Sequence, residues 1–276
     1  MVKIKKFMYL SQYFKRTFNE KSLIYFEGGL GSQIISAIIF EEMRQRNEIP
    51  VVDTTYFRPD VKSGIGVNYW KWELDRYGIF ENDFKPYLSN NEFRIRNFST
   101  RHVEESRYLP LGRKDYYSSF FPLVCNVDDT LINVGVDIEN FGCIHLRRGD
   151  YKDVSMRIIS IDEIVDLIRA LGTKIPPTII FFSDEEILAE EIKRFSSALP
   201  KVKMFFNLNI EDIHIVHGIM RKARLLITGN STFSWTAGIL NIVPDSLVLS
   251  PTHFFGFNQT QINKTFQTSS NWMISL

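Results

Sequence analysis

Four short clusters hold the side chains and bare backbone that could do chemistry: GGLGSQ (28–33), HLRRGDY (145–151), FSDEE (182–186) and GNSTFSW (229–235). Each follows an apolar run that reads as a strand. Ligands of open α/β sheets bind beyond the carboxyl ends of strands, so the four clusters are expected to converge on one edge. HLRRGDY is the strongest signal. A guanidinium is planar, always charged and suited to phosphate oxygens. Adjacent side chains of an extended chain point oppositely. One of Arg147 and Arg148 is therefore expected to meet an anion, and the other to brace the loop against Asp150. The competing reading is a surface Arg–Asp network, common and weakly stabilising. His145 either donates to a ligand or packs in the sheet.

The other clusters each carry two readings. In GGLGSQ the loop glycines Gly28, Gly29 and Gly31 leave backbone that can approach a ligand, with amides at a helix start. It is not a full dinucleotide fingerprint, because the third glycine would fall at Ile34, and no GK[ST] follows. The plain alternative is a tight strand–helix turn. Asp184 in FSDEE could accept from a nucleobase edge or a ribose hydroxyl, but a helix cap by Ser183 or Asp184 is the stronger expectation on physical grounds. Asn230, Ser231, Thr232 and Ser234 put amides and hydroxyls at a helix start, an anion site that also serves as an ordinary N-cap. His214 and His217 lie three apart on an expected helix, but no Cys or acid at ligand spacing completes a metal set, so no metal is expected.

The elements that must position these clusters are legible as alternating runs. LIYFE (23–27), the loop, a helix capped by Ser32, and PVVDTTYF form a β-loop-α-β opening. From near residue 130 a second alternating pattern runs through strands CIHL, PTIIFFSD, KVKMFF, RLLITGN and SLVLSP. Its first helix carries a Ser160–Glu163 capping box and ends near Gly172. The expected fold class is α/β, GT-B-like, with two Rossmann-like domains and a cleft between them: an arm at 1–22, a first domain at 23–135, a second at 136–276.

Composition narrows the function classes. The 276 residues carry 33 Lys+Arg against 32 Asp+Glu, and 44% are hydrophobic. That excludes a disordered chain and argues against a dedicated nucleic-acid binder. Two cysteines, Cys125 and Cys143, do not make a disulfide scaffold and point to a reducing compartment. No run of about 18 apolar residues exists, and the apolar run at Phe7–Leu10 is too short for a signal peptide. Lys3, Lys5, Lys6, Lys15, Arg16 and Lys21 surround a helical stripe of Phe7, Leu10, Phe14 and Phe18. Such an arm packs on a domain with its lysines solvated, the simpler expectation, or lies peripherally on an anionic membrane through residues 1–20. A cytoplasmic location follows as an expectation.

HLRRGDY, with Gly-Gly-Leu-Gly-x-Gln before it and Asn-Ser-Thr-Phe-Ser-Trp after it, resembles the α-1,2-fucosyltransferases of glycosyltransferase family 11, over about residues 23 to 250. HxRRxD is shared among α-1,2-, α-1,6- and protein O-fucosyltransferases. The resemblance implies a GT-B fold and an inverting, metal-free transfer of L-fucose from GDP-fucose to a sugar hydroxyl, often the 2-OH of galactose. It implies that Arg147 or Arg148 holds the pyrophosphate, that His145 helps hold the donor, and that Asp184 meets guanine. It places Ser231, Thr232 and Ser234 at phosphate and ribose, and the glycines 28–31 across the cleft. Asp150 is the candidate base by residue type. The chain departs from the family pattern at Ser32, usually Asn, and at Thr236, usually a second Trp. A lipid-linked surface polysaccharide such as O-antigen is the expected acceptor, with aromatics such as Trp70 and Trp72 available to stack on sugars or to fill the core. Rival readings are a transferase of another linkage, a non-catalytic binder of a nucleotide-sugar or glycan, and an NAD-dependent oxidoreductase, disfavoured by the missing third glycine.

Overall fold

The structure, a computed structural model, describes residues 23–47, 51–57, 71–83, 114–123, 126–149, 158–251 and 272–273. Asp150, Cys125, Trp70 and the arm at 1–22, which carry several of the expectations above, lie outside the described residues. Two parallel sheets with helices against them meet the α/β expectation. The smaller pairs β1 (Leu23–Tyr25) with β2 (Val51–Asp53), joined through α1 (Leu30–Gln45). The larger contains β3 (Phe141–Leu146), β4 (Thr178–Ser183), β5 (Lys203–Phe206), β6 (Leu225–Ile227), β7 (Leu247–Leu249) and β8 (Trp272–Met273), in the order β5-β4-β3-β6-β7-β8.

The large sheet is a sandwich because its strands are apolar at successive positions, as strands covered on both faces must be. All six residues of β3 are buried. The period-two alternation sorts them. Ile144, Leu146, Ile179, Phe181, Leu225 and Ile227 pack with helices α4 (Ile161–Leu171) and α5 (Ala189–Ala198). Phe141, Cys143, Ile180, Phe182 and Leu226 pack on the other face with α3 (Val127–Asn133), α6 (Ile213–Arg221) and α7 (Thr232–Ile239). Ser160 caps α4 with the full capping box, as its sequence predicts, and Gly172 ends it with a positive φ of 52°.

The smaller unit has its own core. Ile34, Ile35, Ile38 and Ile39 of α1 are nearly sealed from solvent, each contributing roughly 1.5–3 kcal/mol of burial. They pack with Tyr117 and Phe121, from and just after α2 (Lys114–Phe120), and with Trp235, Ile239 and Leu240, from and just after α7. α7 thus belongs to both cores: Ala237 faces the large sheet while Trp235 faces α1. Core membership changes between Phe121 and Val127. Trp72 also belongs here. Its ring lies 5.2 Å from Phe26 and 5.4 Å from Phe57, and its indole N–H donates to the Ile79 carbonyl at 2.8 Å. The space-filling reading therefore describes Trp72.

Two helix starts differ from the sequence expectation. α1 begins at Leu30 with Gly29 as its cap residue and no side-chain cap bond, so Ser32 lies inside the helix. α5 begins at Ala189, so neither Ser183 nor Asp184 caps it. Both hydroxyl and carboxylate are used elsewhere.

Candidate functional site

Strand order reverses between β3 and β6, because the chain runs outward from β3 through β4 to β5 and then returns to the other side of β3. Such a switch point opens a crevice at the carboxyl ends of the two central strands. HLRRGDY leaves β3 there, and TGNSTFSW leaves β6. The two exits touch: a Cβ on Gly229 would lie 2.9 Å from the His145 carbonyl oxygen and 3.2 Å from the Arg147 Cβ. Only glycine lets these chains approach so closely.

Alternation carries the two arginines to opposite sides, as expected. Arg147 Nη1 pairs with Asp184 Oδ2 at 2.8 Å. Arg148 turns toward α5 and donates from Nη1 to Glu191 Oε2 at 2.9 Å, which in turn accepts from the Leu188 N–H. Arg148 is thus braced by Glu191. Asp184 does not cap a helix. Its Oδ1 accepts the Arg148 backbone N–H at 2.8 Å while Oδ2 holds Arg147. Gly149 makes room for it, since a Cβ there would lie 2.7 Å from Oδ2.

His145 points toward α7. Its Nδ1 is 2.8 Å from Ser234 Oγ, and its ring lies 5.9 Å from that of Phe233. Burial pulls its pKa from the usual 6.5 to about 4, the Asp184 carboxylate opposing and the Arg147 guanidinium adding to the drop. The imidazole is therefore neutral at ordinary pH and does not compete with Arg147 for an anion. Ser234 is fully buried behind it. Both expected donor contacts, His145 and Ser234, sit beneath the crevice, bonded to each other.

The other clusters that the sequence offers as anion sites come in from two helix starts. Ser231 caps α7 by accepting the Phe233 N–H at 3.3 Å. α1 crosses α7 at this point: a Cβ on Gly31 would lie 2.4 Å from the Phe233 nitrogen and the Thr232 carbonyl carbon. Ser32 Oγ lies 3.2 Å from Thr232 Oγ1. Ser32 is thus a cross-link between the two helix starts. Gly28, with φ 71°, turns the chain from β1 into the loop in the left-handed conformation that favours glycine. The structure therefore brings Gly28, Gly29, Gly31, Asn230, Ser231 and Thr232 to one place beside Arg147, with two helix N-termini meeting.

Sequence reasoning missed the role of one residue behind this junction, Gln33. Gln33 is fully buried. Its Nε2 donates to the carbonyls of Gly28 at 2.9 Å and Lys71 at 2.8 Å, and its Oε1 accepts the Glu73 N–H at 2.9 Å. The histidines of α6 are structural: His214 Nε2 lies 3.3 Å from Glu73 Oε2, and His217 Nε2 lies 3.2 Å from Thr236 Oγ1. Burial holds His217 well below its usual pKa, with Arg221 and His214 adding to the drop. The signal for Gln33 was a lone amide ending a glycine loop, and nothing in the sequence names its partners 38 and 40 residues away. Among the described residues no group of three or more His, Cys, Asp or Glu gathers as a metal site would, and no helix is long and apolar enough to cross a membrane.

No family model matches the chain. Over 210 residues it is 30% identical to the O-antigen biosynthesis glycosyltransferase WbnK of Escherichia coli, an alignment that covers 70% of this chain and 66% of that protein. The chain thus spans about two thirds of that relative's length, and in sequence it is glycosyltransferase-like. Solved structures with similar architecture include POFUT1 in complex with GDP, with TM-score 0.45 and 12% identity over 85% of this chain and 99% of that one. POFUT1 in complex with GDP-fucose follows at TM-score 0.44 and 12% identity over 85% and 98%. The glycosyl transferase family 9 protein of Veillonella parvula DSM 2008 gives TM-score 0.42 and 11% identity over 94% and 86%.

Proposed function

We propose that this chain is a GT-B-type inverting fucosyltransferase that moves L-fucose from GDP-β-L-fucose to a hydroxyl, the 2-OH of galactose, of a growing surface polysaccharide. The observation that carries this reading is the meeting of Arg147 with the two helix N-termini, of α1 and α7, at the switch point of the large sheet. The curated relative, an O-antigen biosynthesis glycosyltransferase, favours the same class of reaction and acceptor. The HLRRGDY resemblance favours the donor.

The chemistry follows from charge. The acceptor oxygen attacks fucose C1, the bond from C1 to the β-phosphate oxygen breaks, and its electron pair leaves with GDP. Negative charge grows on the diphosphate in the transition state. Arg147 and the helix-start amides are fixed donors that stabilise it without rearrangement. Attack on the face opposite GDP turns the β-linked donor into an α-glycoside. Asp150 is the base proposed to take the hydroxyl proton. His145 is neutral and bonded to Ser234.

Asp184 pairs with Arg147. A nucleobase edge that engages Asp184 would release the guanidinium for phosphate. The test is GDP release from GDP-fucose with galactosides as acceptors. Release by the unaltered protein, absent from an Arg147→Ala/Arg148→Ala double variant, is the expected outcome. Calorimetric binding of GDP without transfer to any of a broad glycan panel would replace the enzyme reading by that of a binding protein.

A further inference from the structure

We propose that Gln33 is a positioning residue that locks the glycine loop to the segment around Lys71–Glu73, so that the donor loop is formed only while that segment is docked. This rests on the donor-binding reading above. The carboxamide uses both N–H bonds and its oxygen at once: Gly28 O, Lys71 O and Glu73 N lie at 2.9, 2.8 and 2.9 Å. A primary amide alone offers two donors and an acceptor in one plane. The residue is fully buried, so loosening any of these bonds leaves polar backbone groups without water to replace it.

The clasp closes a circuit around the helix crossing. From Gln33 it passes to Glu73, whose carboxylate meets His214 on α6. One turn along α6, His217 meets Thr236 on α7. Thr236 Oγ1 donates back to the Thr232 carbonyl at 2.8 Å, and Thr232 Oγ1 meets Ser32, next to Gln33. The ring thus joins α1, the 71–73 segment, α6 and α7. It encloses the point where Gly31 touches the start of α7. The 71–73 segment is therefore placed to transmit its own docking to the diphosphate-binding helix starts.

Gln33→Glu and Gln33→Met separate positioning from bulk. Met keeps the volume and removes all three bonds. Glu keeps the acceptor but sets a buried carboxylate against two carbonyl oxygens, which raises its pKa, and protonation then returns one donor. Both variants are expected to lose roughly 100-fold in kcat/KM for GDP-fucose at about pH 8. Between about pH 8 and pH 6 Gln33→Glu should recover about fivefold relative to the unaltered protein, while the Gln33→Met ratio stays flat. Folded Gln33→Met within about twofold of the unaltered protein, or parallel pH ratios for the two variants, overturns the proposal. Should both variants unfold, hydrogen exchange on the unaltered chain decides. The clasp requires the Gln33 and Glu73 amides, bonded to Gly29 O and Gln33 Oε1, to open together with one protection level, and independent opening of the two overturns it. If the unaltered protein transfers no fucose, the functional reading fails while the exchange result still judges the clasp.

Discussion

At the scale of single residues, the two neighbouring arginines divide two tasks. Arg147 pairs with Asp184, and Arg148 with Glu191 at the wall of a cavity of about 540 Å³ that Ser160, Glu185 and Glu186 also line. Alternation along an extended chain made this division legible in the sequence, but not the direction of each, because the pairing acids, Asp184 and Glu191, lie beyond the next strand. Arg147→Ala is expected to cut donor turnover by roughly 100- to 1,000-fold with little change in melting temperature. Arg148→Ala removes the partner of a largely buried carboxylate, 14% exposed, and should cost roughly 1–3 kcal/mol of stability. GDP-release kinetics beside thermal melts of both variants check this, and the reverse pattern would exchange the roles.

His145 gives the residue scale a pH signature. Its folded pKa of about 4 lies below the usual 6.5, so between those values the unfolded chain binds the proton first. Stability from this group is complete above about pH 6.5 and is lost as the pH falls toward 4. His145→Asn removes the titration and keeps a polar partner for Ser234. Urea unfolding at about pH 7 and pH 4.5 should show the unaltered protein losing roughly 2–3 kcal/mol more than the variant over that interval. Equal losses would mean that the imidazole is not buried neutral.

At the scale of elements, the strands and most helices were legible because burial on two faces demands uninterrupted apolar runs, and because Ser160 and Gly172 punctuate α4 in the usual way. Ser32 and Asp184 were not. A Ser or Asp shortly before or inside a helix start has the same local pattern whether it caps that helix or reaches across the molecule, and here tertiary partners took both. The crossing of α1 over α7 was likewise invisible, yet it explains Gly31. A methyl there would sit 2.4 Å from backbone atoms of Thr232 and Phe233, which cannot swing aside as a side chain could. Gly31→Ala is therefore expected to destabilise by about 1–3 kcal/mol and to cut turnover by roughly 100-fold as the helix starts separate. By contrast, Gly78→Ala adds a Cβ that meets nothing within 4 Å. Its cost is confined to the left-handed φ of 72°, about 1 kcal/mol, with turnover retained. Chemical denaturation and GDP-release assays on the pair separate contact from backbone strain, and equal loss of turnover in both would remove the special role given to the crossing.

At the scale of the whole molecule, the two sheets meet through α1 on α7 and through the small unit's Glu73 and Arg76 on α6, Arg76 pairing with Asp212 at 2.7 Å. A ligand held only by the large sheet would leave the glycine loop unaffected. One held at the crossing binds amides from both units and must couple them. GDP at about 100 times its dissociation constant should stabilise the protein by about 2.7 kcal/mol. Hydrogen exchange should then slow together at 29–33, on the small unit, and at 229–234, on the large one. Arg147→Ala should remove both effects, because without the guanidinium neither helix start alone holds a diphosphate tightly. Gly31→Ala should do something different: weak binding that still slows 229–234 but no longer 29–33, since the loops have been pushed apart at the crossing. Protection confined to 229–234 in the unaltered protein would place the nucleotide on the large sheet alone and detach the glycine loop from donor binding.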